Sequence, residues 1–331
     1  MLKVVCFGEA LVDLLSDRVA GNASTGSAES GVEQFRKFPG GAPANAAVAV
    51  AKLGGEAYFA GMLGEDLFGR FLFDALRSEG VKTDYVRFTN EAKTALAFVS
   101  LDESGERSFE FYRPPAADLC FRPEHFHQDT FSGQGILHLC SNSLTDGEIA
   151  ATTLQAAKTA QAQGWLVSVD VNLRHNLWPA GSASRGRVLE LVALADIVKM
   201  SREERDFLTN GKDFHSQLLQ QRPQLLLVTD GPQPLQWISA VGQGTVVPPR
   251  TDTVDTTAAG DAFIGGLIYQ LAQQRVTPTE LSGWLHTEIF QQALHFACAC
   301  GAHAASKAGA FPSLPNQQSL NAFLSARSHH A

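Results

Sequence analysis

The stretch best suited to chemistry is Asp255-Thr256-Thr257-Ala258-Ala259-Gly260-Asp261, which runs into the apolar pattern Ala262-Phe263-Ile264-Gly265-Gly266-Leu267-Ile268. Small residues and hydroxyls, then an acid, then a helical pattern read as the turn into a helix. The first N–H groups of a helix lack intrahelical acceptors and carry the positive end of its dipole, so they cradle an anion, phosphate above all. Ala258, Ala259 and Gly260 keep bulk away from that anion. Asp261 would stand beside it, where a carboxylate takes the proton of a hydroxyl attacking phosphorus. Taken alone, the stretch fits an acid decorating an ordinary buried helix equally well.

Two other places carry polar groups where a ligand could use them. Gly40-Gly41-Ala42-Pro43-Ala44-Asn45-Ala46-Ala47 leads into a helix from Val48 to Leu53. The glycines allow close backbone approach, and Asn45 offers a donor and an acceptor to a polyol. A small-residue helix packed on a sheet would explain the alanines but not Gly-Gly followed by a polar Asn. Asp13 follows the apolar run Lys3 to Phe7, which reads as a buried strand. Carboxyl ends of parallel strands line ligand crevices, although a surface Asp in a turn is the plainer reading.

The elements that must hold these residues follow from the pattern. From Gly135 the chain alternates strand and helix: Ile136 to Cys140, Asp146 to Gln163, Leu166 to Asp170, Ala183 to Leu194, Ile197 to Met200, then the strand Leu225 to Thr229. Such alternation predicts an α/β fold with a parallel sheet covered by helices on both faces. Thr94 to Leu101 and Arg107 to Tyr112 flank the hairpin loop Asp102 to Glu106, and Arg18 to Gly31 is polar and loop-like. Helices from Ala262 to Gln274 and from Thr287 to about Ala305 are expected to cover the sheet.

These motifs carry a resemblance. Asp255 to Asp261 is similar to the D-T-x-[GA]-A-G-D signature of the ribokinase or PfkB family of sugar kinases. Gly8-Glu9-Ala10-Leu11-Val12-Asp13 resembles its G-E-x-L-x-D, and Gly40 to Ala47, with Lys52-Leu53-Gly54 and Gly61 to Gly69 behind it, resembles its N-terminal signature. Phe109-Glu110-Phe111-Tyr112-Arg113-Pro114 with Ala117-Asp118, and Asp170-Val171-Asn172-Leu173-Arg174-His175-Asn176-Leu177-Trp178, look like segments of fructokinases in particular, with Val171 where Pro is usual. Ser201 replaces the Asn of the family's N-x-x-E, and Pro234 the second glycine of its T-x-G-x-x-G.

The resemblance, from Gly8 to Phe311, implies a ribokinase-like α/β kinase domain over 1–331. Its sheet would be mostly parallel, with a small β-sheet lid built from inserted segments about 14–38 and 92–114. It implies ATP-dependent phosphorylation of a free sugar, D-fructose to fructose 6-phosphate first. The alternatives are 2-keto-3-deoxygluconate, ribose or a nucleoside as substrate and, from a different class, a non-catalytic sugar sensor. Asp261 would be the general base over an anion hole of Ala258, Ala259 and Gly260, with Arg174 between sugar and phosphate. Asp13, Gly40, Gly41, Asn45, Phe98, Arg113, Asp170 and Asn172 would face the sugar. Lys199, Ser201, Thr229, Gly231 and Gly309 would face the nucleotide. Glu204 would hold Mg²⁺ through water, and Asp255 and Thr257, with the backbone from Ala308 to Phe311, a monovalent cation such as K⁺.

Composition agrees with an enzyme of this size. The 331 residues are 44% hydrophobic, enough for a large core. A formal net charge of −8 without runs of Lys or Arg lacks the footprint of a nucleic-acid or anionic-membrane binder, so an anionic ligand must be held locally. Five cysteines form no C-x-x-C pair, and His125 with His127 falls short of a metal site. No run of eighteen apolar residues and no signal-peptide core is present, which predicts a cytoplasmic protein. Walker A, dinucleotide and G-x-S-x-G patterns are missing too. A homodimer through the lid is left open.

Overall fold

The structure, a computed structural model, describes residues 1–16, 33–101, 107–113, 115–209 and 218–328. The expected loops at Arg18 to Gly31 and Asp102 to Glu106 lie outside these residues. The strands are β1 (Lys3–Phe7), β2 (Leu11–Ser16), β3 (Phe35–Gly40), β4 (Ala57–Gly64), β5 (Val86–Thr89), β6 (Leu96–Leu101), β7 (Arg107–Tyr112), β8 (Gly135–Cys140), β9 (Leu166–Asp170), β10 (Ile197–Ser201), β11 (Leu225–Thr229), β12 (Leu235–Ser239) and β13 (Gly242–Val246). Nine of them form one sheet in the order β13-β12-β11-β10-β9-β8-β1-β4-β5, and β3-β2-β6-β7 form a second. Pairings from β11 to β5 are parallel, and β12 and β13 add an antiparallel edge.

Burial on both faces explains why the central strands read as nearly unbroken apolar runs. Along β1, Val4 and Cys6 belong to one core cluster and Val5 and Phe7 to the other, the period of two that a pleated strand imposes. On the first face pack α1 (Ala42–Lys52), α6 (Ala259–Gln273) and α8 (Glu288–Ala305). On the other pack α3 (Gly147–Ala162) and α4 (Arg185–Val192). Between α1 and α8, helix α6 is admitted by two glycines. A Cβ on Gly265 would lie 2.5 Å from the Ala49 Cβ, and one on Gly266 would lie 2.9 Å from Cys300 Sγ. This close fit brings the start of α6 over the carboxyl ends of the strands.

The small sheet is the expected lid. Chain β1 runs through Gly8-Glu9-Ala10 directly into β2, so one segment joins the large sheet to the lid. The other anchor is Asp66, which caps α2 (Leu67–Ser78) by accepting from Phe68 N and Gly69 N, and also accepts from Thr94 N and Thr94 Oγ1 just before β6. Among the described residues no helix is long and apolar enough to cross a membrane.

Candidate active site

Two cavities meet under the lid, and Asp261 lines both. One, of ≈ 410 Å³, opens between the lid and the ends of β1 and β8; its wall includes Glu9, Leu11, Asp13, Gly41, Asn45, Phe111 and Asn142. The other, of ≈ 470 Å³, lies over β9 and β10 and includes Lys199, Ser201, Glu203, Glu204 and Gly260. Asn172, Arg174, Thr256 and Thr257 join Asp261 on the wall common to both.

Helix α6 begins with no side-chain cap on Ala258; Ala259 N is taken by Thr256 O at 3.2 Å, which leaves the N–H groups of Gly260 and Asp261 at its mouth. Lys199 adds full positive charge there. A Cβ on Gly260 would lie 2.8 Å from Lys199 Nζ, so the ammonium would have to shift to admit one. Lys199 donates to both oxygens of Asp170 (2.8 and 3.0 Å). Burial works against its charge, but Asp170 and then Glu204 hold its pKa above the ordinary value. Uncapped helix, lysine and the exposed Arg174 make this cavity fit for a polyphosphate.

The acid itself is clamped. Asn45 Nδ2 donates to Asp261 Oδ2 at 2.7 Å, and Asn172 Nδ2 lies 3.4 Å from Oδ1. Asn172 has φ 41, the left-handed region that asparagine tolerates better than most residues, which turns the chain out of β9 into the crevice. Burial raises the pKa of Asp261, while the Asn45 hydrogen bond, Lys199 and Arg174 oppose the rise. A carboxylate so held accepts a proton in a fixed direction.

The loop carrying Arg174 is tied down by Glu204. Its Oε1 accepts from Leu173 N and its Oε2 from Ser201 N, both at 2.7 Å, while Ser201 Oγ accepts from Glu204 N. The last two bonds are the reciprocal capping box that starts α5 (Arg202–Thr209). Serine in place of the family's Asn therefore keeps the helix start. Asp255 likewise ties the turn before α6 to a distant segment: Oδ1 accepts from Thr257 N and Oγ1, and Oδ2 from Gly309 N.

On the lid, strand parity decides who reaches the cavity. Leu11, Asp13 and Phe111 share the inner face and line it. Gly40, next to Asp13 on the same face, is required: a Cβ there would come within 2.2 Å of Asp13 Oδ2. Burial, then the nearby Asp255 and Asp261, push the Asp13 pKa up to about 7 against the pull of Arg174.

Three expectations need correcting. Phe98 is on the outer face, with its ring against Phe35 and Tyr112 rather than over the cavity, because it alternates with the inward Ala97. Arg113 is buried and does not reach the crevice. Its Nε and Nη2 donate to Asp118 (2.9 and 2.6 Å) and its Nη1 to Asn142 O and Thr145 Oγ1. Asp170 does not face a sugar either; it is 1% exposed and engaged with Lys199. Of the expected nucleotide residues, Lys199 and Ser201 line the second cavity. Thr229, the last residue of β11, and Gly231 just beyond it do not, and Gly309 serves Asp255. Residues that sequence reasoning passed over are Glu9, Asn142 and Thr256. Asn142 follows a parallel strand, the same positional signal that singled out Asp13.

Solved and curated relatives resemble the whole chain. Fructokinase from Xylella fastidiosa, solved with bound ATP, is 45% identical with a TM-score of 0.91, over 98% of this chain and 99% of that one. A fructokinase double mutant from Vibrio cholerae O395, solved with fructose, ADP and a potassium ion, is 35% identical with a TM-score of 0.84, over 98% of each chain. Fructokinase-1 of Oryza sativa subsp. japonica is 42% identical over 318 residues, 95% of this chain and 95% of the relative. The model of the pfkB family carbohydrate kinases matches residues 1–317, and with the clamped acid at the mouth of an uncapped helix the chain belongs to that family.

Proposed function

We propose that the protein transfers the γ-phosphoryl group of ATP to the C6 hydroxyl of D-fructose. The observation that carries this reading is Asp261 on the shared wall of a cavity that carries Asp13, Asn45 and Asn142 and a cavity lined by Lys199 and Arg174. The hydroxyl oxygen attacks the γ-phosphorus, the bond to the bridging oxygen of ADP breaks, and the hydroxyl proton passes to Asp261. Lys199, Arg174 and the first N–H groups of α6 face the charge that spreads over the transferring group. Asp13 accepts from sugar hydroxyls. The fructokinase relatives support fructose ahead of ribose, a nucleoside or 2-keto-3-deoxygluconate.

Glu204 fits a water-mediated hold on Mg²⁺: each carboxylate oxygen accepts one backbone N–H and keeps acceptor capacity, and the residue lines the phosphate-side cavity. Bound there, Mg²⁺ supplies charge neutralisation. Asp255 and Thr257, with the backbone carbonyls from Ala308 to Phe311, would hold K⁺ beside the turn before α6, which Asp255 already ties to Gly309 N.

A coupled ADP-release assay over a sugar panel tests the reading. Fructose should exceed ribose, adenosine and 2-keto-3-deoxygluconate in kcat/KM, and any of these ahead of fructose sinks the assignment. In the same assay Asp261→Asn should lower kcat by about 10²–10⁴-fold. Exchange of K⁺ for a bulky organic cation at fixed ionic strength should lower the rate, and indifference to that exchange removes the cation site.

A further inference from the structure

The sugar-side cavity has a second polar pole that the phosphoryl transfer does not use. Glu9 and Asn142, at the carboxyl ends of the paired strands β1 and β8, line it and are 2% and 5% exposed. Asn142 Nδ2 donates to Glu9 Oε1 at 3.0 Å. The same oxygen lies 3.4 Å from Ala42 N, and Cys140 Sγ is 3.5 Å from Oε2. Because Asn142 Nδ2 donates to Glu9, the amide is held with its nitrogen toward the acid and its oxygen away. That oxygen, Asn142 Oδ1, is buried and has no hydrogen-bond partner among the described residues. The Asn142 backbone is pinned as well, because its carbonyl accepts from Arg113. A buried, oriented acceptor on a cavity wall without a donor is what a site built for a hydroxyl looks like before the hydroxyl arrives.

Glu9 and Asn142 line the sugar-side cavity alone, whereas Asp261 also lines the phosphate-side one, so the two poles mark its far and near ends relative to the transfer. A ketohexose furanose that sets its C6 hydroxyl at Asp261 presents its C1 hydroxymethyl group across the ring, at that far end. An aldopentose has no carbon there.

We propose, resting on the fructose reading above, that Asn142 is a specificity-determining residue whose Oδ1 accepts from the C1 hydroxyl of the sugar, with Glu9 as the positioning residue that orients it. Ketose and aldopentose are then told apart at this pole rather than at the reacting end.

The test pairs a deletion in the enzyme with a deletion in the substrate. Wild-type enzyme should use 1-deoxyfructose with kcat/KM about 10- to 100-fold below fructose. Asn142→Ala should raise KM for fructose by a similar factor, leave KM for ATP unchanged, and abolish the preference for fructose over 1-deoxyfructose. Glu9→Gln should weaken that preference by raising KM for fructose more than KM for 1-deoxyfructose, and a Glu9→Gln enzyme with the full preference removes the positioning role. Equal losses on both sugars in Asn142→Ala overturn the subsite. Should that variant fold poorly, the wild-type comparison decides: parity of fructose and 1-deoxyfructose overturns the subsite alone. A wild type that leaves fructose unphosphorylated overturns the fructose reading and the subsite with it.

Discussion

Two buried ion pairs flank the crevice, and they do different things. Arg113 and Asp118 are 1% and 2% exposed, and the guanidinium is surrounded by protein acceptors: a carboxylate, a carbonyl and a hydroxyl. Lys199 and Asp170 are 8% and 1% exposed, and the ammonium, with three donors and one carboxylate partner, also lines the phosphate-side cavity. A planar fork with several protein acceptors locks a loop, while a point charge with donors to spare can serve both its partner and a ligand. Charge near a site is therefore poor evidence of contact with a substrate. What decides is where the remaining hydrogen-bond capacity points.

That contrast can be broken by experiment. Arg113→Met leaves Asp118 charged and uncompensated, which costs about 3–5 kcal/mol of stability. Denaturant unfolding should show the loss, while kcat per folded molecule stays within about threefold of wild type; a collapse of kcat in well-folded protein would return Arg113 to the reacting groups. Lys199→Met also strands an acid, so it loses stability too. It should in addition lower kcat by about 10²–10³-fold, as loss of a preorganised donor to developing charge does. If the two variants lose only stability, the pairs are alike and the distinction fails.

The smallest effect concerns Asp13, which has no cation locked to it. With its pKa pushed up to about 7 by burial, Asp255 and Asp261, against Arg174, the acceptor form of this acid disappears as pH falls through that value. The sugar Kd, measured without nucleotide, should rise about fivefold from pH 7 to pH 6 by simple titration of one group. The slope should vanish in Asp13→Asn, and a Kd flat over that interval in the wild type contradicts it. The sign for folding is opposite: a carboxyl raised above its usual range favours the folded state at low pH, and that contribution fades as pH rises through about 7.

Much of the scaffold is legible in the sequence because period-two burial and helix-start chemistry are local. The alternation after Gly135 and the opening of α6 rest on neighbours within a few residues, whereas the turn carrying Asn172 and Arg174 is tied by Glu204 from 31 residues away. Roles set by partners far along the chain are not legible in this way. Asp170 meets Lys199 across 29 residues, and Asn45 meets Asp261 across 216, so an asparagine expected on a polyol also holds the base. The outward turn of Phe98 could have been read from parity, since it stands one residue from Ala97 opposite Asp13, but that pairing register is itself a tertiary fact. Glu9 sat inside a quoted motif and was passed over because a buried acid beside apolar residues gives no local sign of its partner.

The missing side chain at Gly40 has a consequence for how the lid assembles. Strand β3 could slide along β2 by two residues and still keep every side chain on its proper face. Such a slip would bring Phe38 or Ala42 to the place of Gly40, and any Cβ there overlaps the Asp13 carboxylate. A misthreaded hairpin would thus push the Asp13 carboxylate out of position. One glycine acts as a proofreader of strand alignment, and a lid that has closed in the wrong frame cannot also hold its ligand.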